Sequence, residues 1–229
     1  MEGTKPIVQF QDPNRFPAAS NLPRLKGTPE TPPKYPPLRS VFVGQIMTVQ
    51  QWTPEGYHTR LLVQDKKGER VTIGLSFPQD SRGSMAISCL EGGQAVLILD
   101  AQIQTLLSNQ PGIEVWDVNK MKVLPLDIHA FARLNGTFVG CNTFREGRAC
   151  YGCKRRFHPN DKRALTPCRQ CDLVSICTKC RKTGIPEMGH QEVCGVLSDP
   201  DIKAMFTADW DVFEGGFRRT YLGDPGSLV

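Results

Sequence analysis

The chain lacks long apolar runs. None of its 229 residues sits in an uninterrupted hydrophobic stretch near the roughly 18 residues that span a bilayer, so no membrane helix is expected. Met1 to Phe10 lacks the apolar core of a secretory signal, so secretion is not expected either. The sequence shows no Ser-His-Asp set and no phosphate-binding glycine loop; its one His-x-Glu, His190-Gln191-Glu192, follows the Pro167-Cys168-Arg169-Gln170-Cys171 stretch, and none precedes it. The last absence removes the cytosine-deaminase arrangement, which needs that triplet ahead of a Pro-Cys-x-x-Cys pair. Aromatic residues are sparse, at 8%. What is not lacking is aliphatic residues: hydrophobic residues make up 39% and charged ones 22%, which excludes a wholly disordered chain.

Cysteine is the informative count. There are nine, at positions 89, 141, 150, 153, 168, 171, 177, 180 and 194, and seven of them crowd into 45 residues. With no secretory signal, an intracellular reducing location, nucleus or cytoplasm, is expected. There, clustered cysteines favour metal over a disulfide framework.

Prolines divide the chain. Nine of the 18 lie in the first 40 residues, including Pro32-Pro33 and Pro36-Pro37. Residues 1–39 read as an extended, polyproline-like arm. It is either solvated or laid on a folded surface, with Phe10, Phe16, Leu22, Leu25 and Tyr35 available to bury.

Residues 40–128 have the texture of strands. Val41 to Met47 and Arg60 to Gln64 are the first two, and Asp65-Lys66-Lys67-Gly68 signals a turn. Glu69 to Phe77 alternates, with Val71, Ile73, Leu75 and Phe77 on one face. A short helix follows, with Ser84 as N-cap, Met85 to Leu90 as its body and Gly92-Gly93 as its stop. Gln94 to Gln104 predicts a strand with Ala95, Leu97, Leu99, Ala101 and Ile103 on one face. Asn109 to Gly112 turns the chain, and Ile113 to Leu124 is the last strand. Its phase breaks, because Val115 and Trp116 cannot share a face. Either the strand is bulged there, or Trp116 lies outside the sheet, beneath the arm or the C-terminal tail or stacking on a ligand. Cys89 reads as a small buried hydrophobe.

Three strands, a short helix and two strands resemble the OB-fold, a five-stranded Greek-key barrel. An SH3-like barrel is the competing arrangement. Residues 129–149 form a connector with little pattern. Residues 195–229 are a tail with a short amphipathic helix, capped by Ser198 or Asp199 and started by Pro200, with Ile202, Met205, Phe206 and Trp210 near one stripe. That helix packs on its own protein or binds a partner.

The cysteine module occupies 150–194. Cys150-x2-Cys153, Cys168-x2-Cys171, Cys177-x2-Cys180 and His190-x3-Cys194 give eight ligand candidates in four pairs. That is enough for two tetrahedral zinc ions, and two-residue spacing lets both sulfurs of a knuckle face one ion. Two closed sites use all eight, leaving no position for a catalytic water. His158, inside the first gap, and Cys141, nine residues before Cys150, are the residues that stand to displace a ligand.

Six cysteines followed by His-x3-Cys resemble the MYND-type zinc finger. Cys168 to Cys180 is similar to its middle and Gly189 to Cys194 to its end. Three gaps depart from the family: the fourteen residues after Cys153, the two between Cys177 and Cys180, and the nine before His190. The finger is therefore MYND-like and divergent. A RING order fits worse, and the HIT finger is the nearest competitor. The resemblance implies interleaved, cross-braced sites, with Cys150, Cys153, Cys177 and Cys180 on one zinc and Cys168, Cys171, His190 and Cys194 on the other. It also implies a protein-interaction module for proline-containing peptides. The fold class expected is mainly β, a five-stranded OB-like barrel followed by a small zinc-stabilised α+β finger.

The chain's formal charge is +5. Residues 150–197 carry nine basic and four acidic residues. Seven ligand thiolates and two zinc ions bring that excess of five down to about +2. Arg148, Lys154, Arg155, Arg156, Lys162 and Arg163 remain as a local patch. Residues 41–128 hold seven basic and nine acidic residues, an unfavourable balance for single strands even though Trp52, Tyr57 and Phe77 are available to stack. The sequence thus favours a non-enzymatic adaptor with protein partners. A single-stranded nucleic-acid binder that uses the barrel and the finger's basic face is the alternative. Tyr35-Pro36-Pro37-Leu38 is a candidate for the finger's own groove, in cis or in another copy.

Overall fold

The structure is a computed structural model. It describes residues 7–25, 39–52, 58–77, 86–106, 109–142, 148–157, 165–183, 185–207, 209–213 and 216–218. The chain divides into two compact units, Gln11–Phe131 with Phe213–Val229, and Met1–Phe10 with Ala132–Val212. No helix among the described residues is long and apolar enough to cross a membrane.

The first unit is built on a seven-stranded sheet of order β5-β6-β3-β2-β1-β4-β7. Its strands are β1 (Val41–Trp52), β2 (His58–Asp65), β3 (Arg70–Leu75), β4 (Ala95–Leu99), β5 (Ile103–Thr105), β6 (Pro111–Val115) and β7 (Met121–Leu124). β1, β2 and β3 form an antiparallel meander. Asp65 closes its second turn, its side chain accepting from the Lys67 and Glu69 amides at 2.8 Å each. Gly68 sits there at φ +84°, a conformation that only glycine adopts without strain. β1 pairs with β4 through Val41–Gln45 and with β2 through Gly44–Trp52. A register shift between Ile46 and Thr48 bends the strand so that it serves both neighbours.

β3 runs parallel to β6. Their approach is close at Gly112, where a Cβ would lie 2.6 Å from the Thr72 carbonyl oxygen. β5 and β6 form a hairpin, and β4 and β5 are separated by only Asp100–Gln102. Three residues span about 10 Å, so the sheet curls to bring its distant strands together. One core cluster fills it, including Phe42, Leu61, Ile73, Leu75, Ile98 and Val123.

Two strands read from the sequence as continuous are broken. Gln94–Gln104 divides into β4 and β5 around Asp100, which stands at φ +53°. The face assignment there is corrected. Val96 and Ile98 join the core cluster, not Leu97 and Leu99, and all five β4 residues are buried. β4 lies between β1 and β7, and a strand covered on both faces loses the alternation that reveals its phase. The stretch Ile113–Leu124 likewise ends at Val115, passes through a 3₁₀ turn at Val118–Lys120 and resumes as β7 on a different neighbour, β4. Trp116 falls in that break and is 61% exposed, neither bulged into the strand nor covered. Of the expected helix, Ser84 and Met85 lie outside the described residues. Residues 86–88 are helical, and Ala86 and Leu90 are its buried members, whereas Cys89 is only half-buried.

Residues 11–25 lie along this sheet. Asp65 accepts from the Ala19 amide and Glu69 from the Ser20 amide, each at 2.8 Å. Ile103 exchanges hydrogen bonds with Pro23 and Leu25 at 2.8 and 2.9 Å. Phe16 is buried and meets Phe131 edge-on at 6.4 Å. Tyr35 to Leu38 lies outside the described residues.

The stretch read as a patternless connector is helix α1 (Ile128–Asn142). Asp127 caps it through the Ala130 amide at 2.6 Å. Ile128, Phe131, Leu134, Phe138 and Cys141 form a buried stripe at helical spacing. Gly136 and Gly140 lower its intrinsic helix preference, which hid it from a propensity reading. The second unit begins within this helix, at Ala132. There the Asn135 side chain accepts from the Phe10 amide at 2.8 Å and donates to the Val8 carbonyl at 3.0 Å. Phe138 stacks on Phe206 at 5.4 Å.

The rest of the second unit is small elements. Hairpin β8 (Arg148–Ala149) and β9 (Arg156–Phe157) is followed by hairpin β10 (Leu165–Pro167) and β11 (Ser175–Cys177). Helices α2 (Thr178–Thr183), α3 (Ile185–Ser198) and α4 (Pro200–Phe206) complete it. Asp199 caps α4, accepting from the Asp201 and Ile202 amides, and Trp210 is buried in a following 3₁₀ turn.

Candidate metal centres

Two Cys-x2-Cys pairs sit in turns of the same design. In the first, the Cys150 amide donates to the Arg155 carbonyl and the Lys154 amide to the Cys150 carbonyl, each at 2.9 Å. In the second, the Cys168 amide donates to the Val174 carbonyl and the Asp172 amide to the Cys168 carbonyl, again at 2.9 Å. The residue after each second cysteine, Lys154 or Asp172, is left-handed, at φ +58° and +57°. That reversal folds the chain back as a hairpin. The two remaining pairs use a helix. Cys177 ends β11 and Cys180 follows in α2, three residues on. His190 and Cys194 are four apart on α3, on one face of it.

These pairs assemble crosswise. Cys150, Cys153, Cys177 and Cys180 form one cluster, and Cys168, Cys171, His190 and Cys194 the other, with the donor atoms of each set within 4.8 Å of one another. Sγ–Sγ distances are 3.9 Å for Cys153–Cys177 and 3.7 Å for Cys168–Cys194, and Cys171 Sγ lies 3.5 Å from His190 Nε2. A tetrahedral ion with metal–sulfur bonds of about 2.3 Å and metal–nitrogen bonds of about 2.05 Å sets these edges near 3.8 and 3.6 Å. A disulfide needs about 2.05 Å, so the sulfurs are spaced for an ion and not for a bond. The Cys177 amide also donates to Cys150 Sγ at 3.3 Å.

Electrostatics make the same demand. Burial pushes the Cys150 thiol up, but the Cys177, Cys153 and Gly152 amides outweigh it and bring it down to about 7. At Cys168, burial is likewise outweighed by the Cys171 amide, the His190 ring and the Gln170 amide, which bring it down to about 6. Their partners move oppositely. Cys180 is pushed up to about 12 by desolvation and by Cys153, Cys177 and Cys150, and Cys194 to about 12 by burial and by Cys168 and Cys171. Four sulfurs this close cannot all be thiolates at neutral pH without a cation among them. The Cys171 sulfur raises the His190 pKa, with burial opposing. Cys150, Cys171, Cys177, His190 and Cys194 are buried, whereas Cys153 is exposed.

All eight residues singled out by spacing are brought together, and both clusters can hold a metal ion. Cys141 is buried and belongs to neither; burial raises its pKa. Cys89 belongs to neither as well. His158 lies outside the described residues. Sequence reading missed Lys154 and Asp172, the left-handed residues that shape the turns. Aspartate is enriched in that conformation and was a usable signal, but lysine was not. It also missed Tyr151, whose ring meets His190 edge-on at 5.2 Å. The proposed stacking residues fare differently. Phe77 is buried in the core, and the side chains of Trp52 and Tyr57 lie outside the described residues.

No family model matches the chain, and no curated protein matches it. Among solved structures, a chain of the S. pombe Stn1–Ten1 complex is similar, at 22% sequence identity and a TM-score of 0.29. The likeness covers 38% of this chain and 58% of that one.

Proposed function

We propose that this protein is a non-enzymatic interaction adaptor whose cysteine unit is stapled by two structural zinc ions. The observation that carries this is the crossed assembly of eight donors into two four-donor clusters. Zinc suits thiolate and imidazole donors in a tetrahedron, and sites with four protein ligands are structural ones. Four donors per cluster leave no position for an activated water. The ligand order and the crossing support a MYND-like, divergent finger, and proline-containing segments are the partners that likeness suggests. An intracellular location belongs to the same reading.

The sheet supports an OB-like barrel as a second interaction surface. The β1–β2–β3 meander, the parallel β3–β6 pair, the return of β4 to β1 and the β5–β6 hairpin match that topology if β4 and β5 count as one broken strand. Elemental analysis of the full chain tests the core of the proposal. Two zinc equivalents, with X-ray absorption fitting only sulfur and nitrogen neighbours, are expected. Fewer equivalents or an oxygen ligand overturn it.

A single-strand binder is the second reading. Exposed Trp116 favours it, since an uncovered indole can stack a base. Affinity for an oligothymidylate that falls steeply with salt and is lost in Trp116→Ala supports it. No binding at low salt removes it.

A further inference from the structure

We infer that the exposed face around the first cluster docks an acidic segment of a partner protein. The inference rests on the metal reading above, because closing Cys150, Cys153, Cys177 and Cys180 on one ion is what fixes two distant segments side by side. One segment brings Lys154 and Arg155 on the turn after Cys153. The other brings Lys179, Arg181 and Lys182 on α2 around Cys180. All five are exposed, each lies within two residues of a ligand to this cluster, and none is in an ion pair among the described residues.

Local neutralisation does not account for them. Four thiolates and one divalent ion leave two negative charges, and five cations exceed that. Around the second cluster, by contrast, exposed Arg169 and Asp172 offset each other. The charge is therefore concentrated at one site and not spread as a solvated surface.

The chemistry of the face favours carboxylates over bases. Lys154 Nζ stands 4.6 Å over the Tyr151 ring and the Arg155 guanidinium 5.7 Å over Phe157. Those rings are half-buried and already capped by cations, so they do not offer the open stacking platforms that single-strand binding uses. No large hydrophobic residue described in 150–194 is exposed. The aromatic faces also hold Lys154 and Arg155 in place, which lowers the ordering cost of contacting an anion.

The test uses the full zinc-loaded chain and a fluorescent peptide of about twelve residues alternating Glu with Gly or Ser, followed by anisotropy at about 50 mM salt. Saturable binding is expected, weakening about tenfold or more by roughly 300 mM salt. Lys179→Glu/Arg181→Glu/Lys182→Glu is expected to lose about tenfold or more while keeping two metal equivalents, and Arg169→Glu to change less than about twofold. Lys154→Glu/Arg155→Glu, on the other segment, is a second variant with the same expected loss. Absence of peptide binding, or unchanged affinity in both variants with metal retained, overturns the inference and leaves the zinc adaptor standing. Tighter binding of oligothymidylate or of a short duplex than of the peptide also overturns it, in favour of a nucleic-acid face. Fewer than two metal equivalents in the unaltered chain defeats the zinc reading first, and this inference with it.

Discussion

The sheet unit and the cysteine segment hold their shape by different means. In the first, eighteen buried residues make one continuous cluster, from Leu22 through Phe42 and Ile73 to Val123. In the second, the cluster at the first candidate metal centre has three buried members among the described residues, Cys150, Ile176 and Cys177, and two of them are ligand candidates. Burying a large aliphatic side chain contributes about 1.5–3 kcal/mol, so the sheet assembles its stability from many increments. The cysteine segment has too few such increments to offset the ordering of its backbone. On the proposed reading, the two metal clusters supply the difference.

Metal removal is the strongest way to break this comparison. A structural zinc contributes on the order of 10 kcal/mol at neutral pH. Treatment with a strong chelator is expected to abolish amide-exchange protection across β8 to β11 and α2, while β1 to β4 keep theirs. Hydrogen exchange read by mass spectrometry separates the two. Because the ligands must lose protons to bind, acidification from about pH 7 to pH 5 is expected to weaken metal affinity, and raising the pH to restore it. Equal loss of protection in the sheet would contradict the division of labour.

Single ligand substitutions sharpen it. Crossed sites share their intervening chain, so damage to one is expected to reach the other. Cys171→Ser is expected to release one metal equivalent and to deprotect the Cys150 turn as well, although Cys171 is not a donor there. Sequential sites would confine the effect to residues near Cys168 and Cys171. Cys141→Ala serves as the control, with metal content unchanged.

What the sequence made legible follows the same contrast. Cys150 to Cys194 could be read because donors paired with two or three residues between them face one ion whatever fills the gaps between the pairs, and all eight donors converge. The alternation at Val71, Ile73 and Leu75 was equally plain, and all three are buried. β4 resisted because both of its faces are covered. Trp116 resisted because the chain leaves one strand at Val115 and joins another at Met121, a change of neighbour that alternation cannot signal. α1 was hidden by Gly136 and Gly140, although its buried stripe of Ile128, Phe131, Leu134 and Phe138 was present at helical spacing. Local chemistry was readable, and tertiary covering was not.

On the sheet side, core truncation is expected to behave oppositely to chelation. Ile73 is fully buried and pairs with Leu61 and Ile113 across its two neighbouring strands. Ile73→Ala is expected to cost about 2–5 kcal/mol, seen as a lower midpoint in urea, with two metal equivalents retained. Gly112→Ala tests the parallel β3–β6 contact. The added Cβ would meet Leu106 as well as the Thr72 carbonyl, and backbone cannot yield as a flexible side chain does. The expected cost is about 1–3 kcal/mol. A neutral Gly112→Ala would contradict the close approach of β6 to β3.

The smallest expected effect probes the part of the second unit that lies outside the clusters. Asp199 caps α4 through the Asp201 and Ile202 amides at 2.9 and 3.1 Å. Phe206, at the end of that helix, stacks on Phe138. These are the ordinary devices of an apolar fold, so this corner is expected to depend on capping and packing more than on metal. Asp199→Ala is expected to cost about 1 kcal/mol, and Asp199→Asn much less, because asparagine also accepts at the cap. Exchange of the Asp201 and Ile202 amides reports it directly. If the same difference between the two variants persists after chelation, α1 and α4 hold together without the ions, and the metal-dependent region ends before Asp199. If chelation erases it, the staples support the whole of Ala132–Val212.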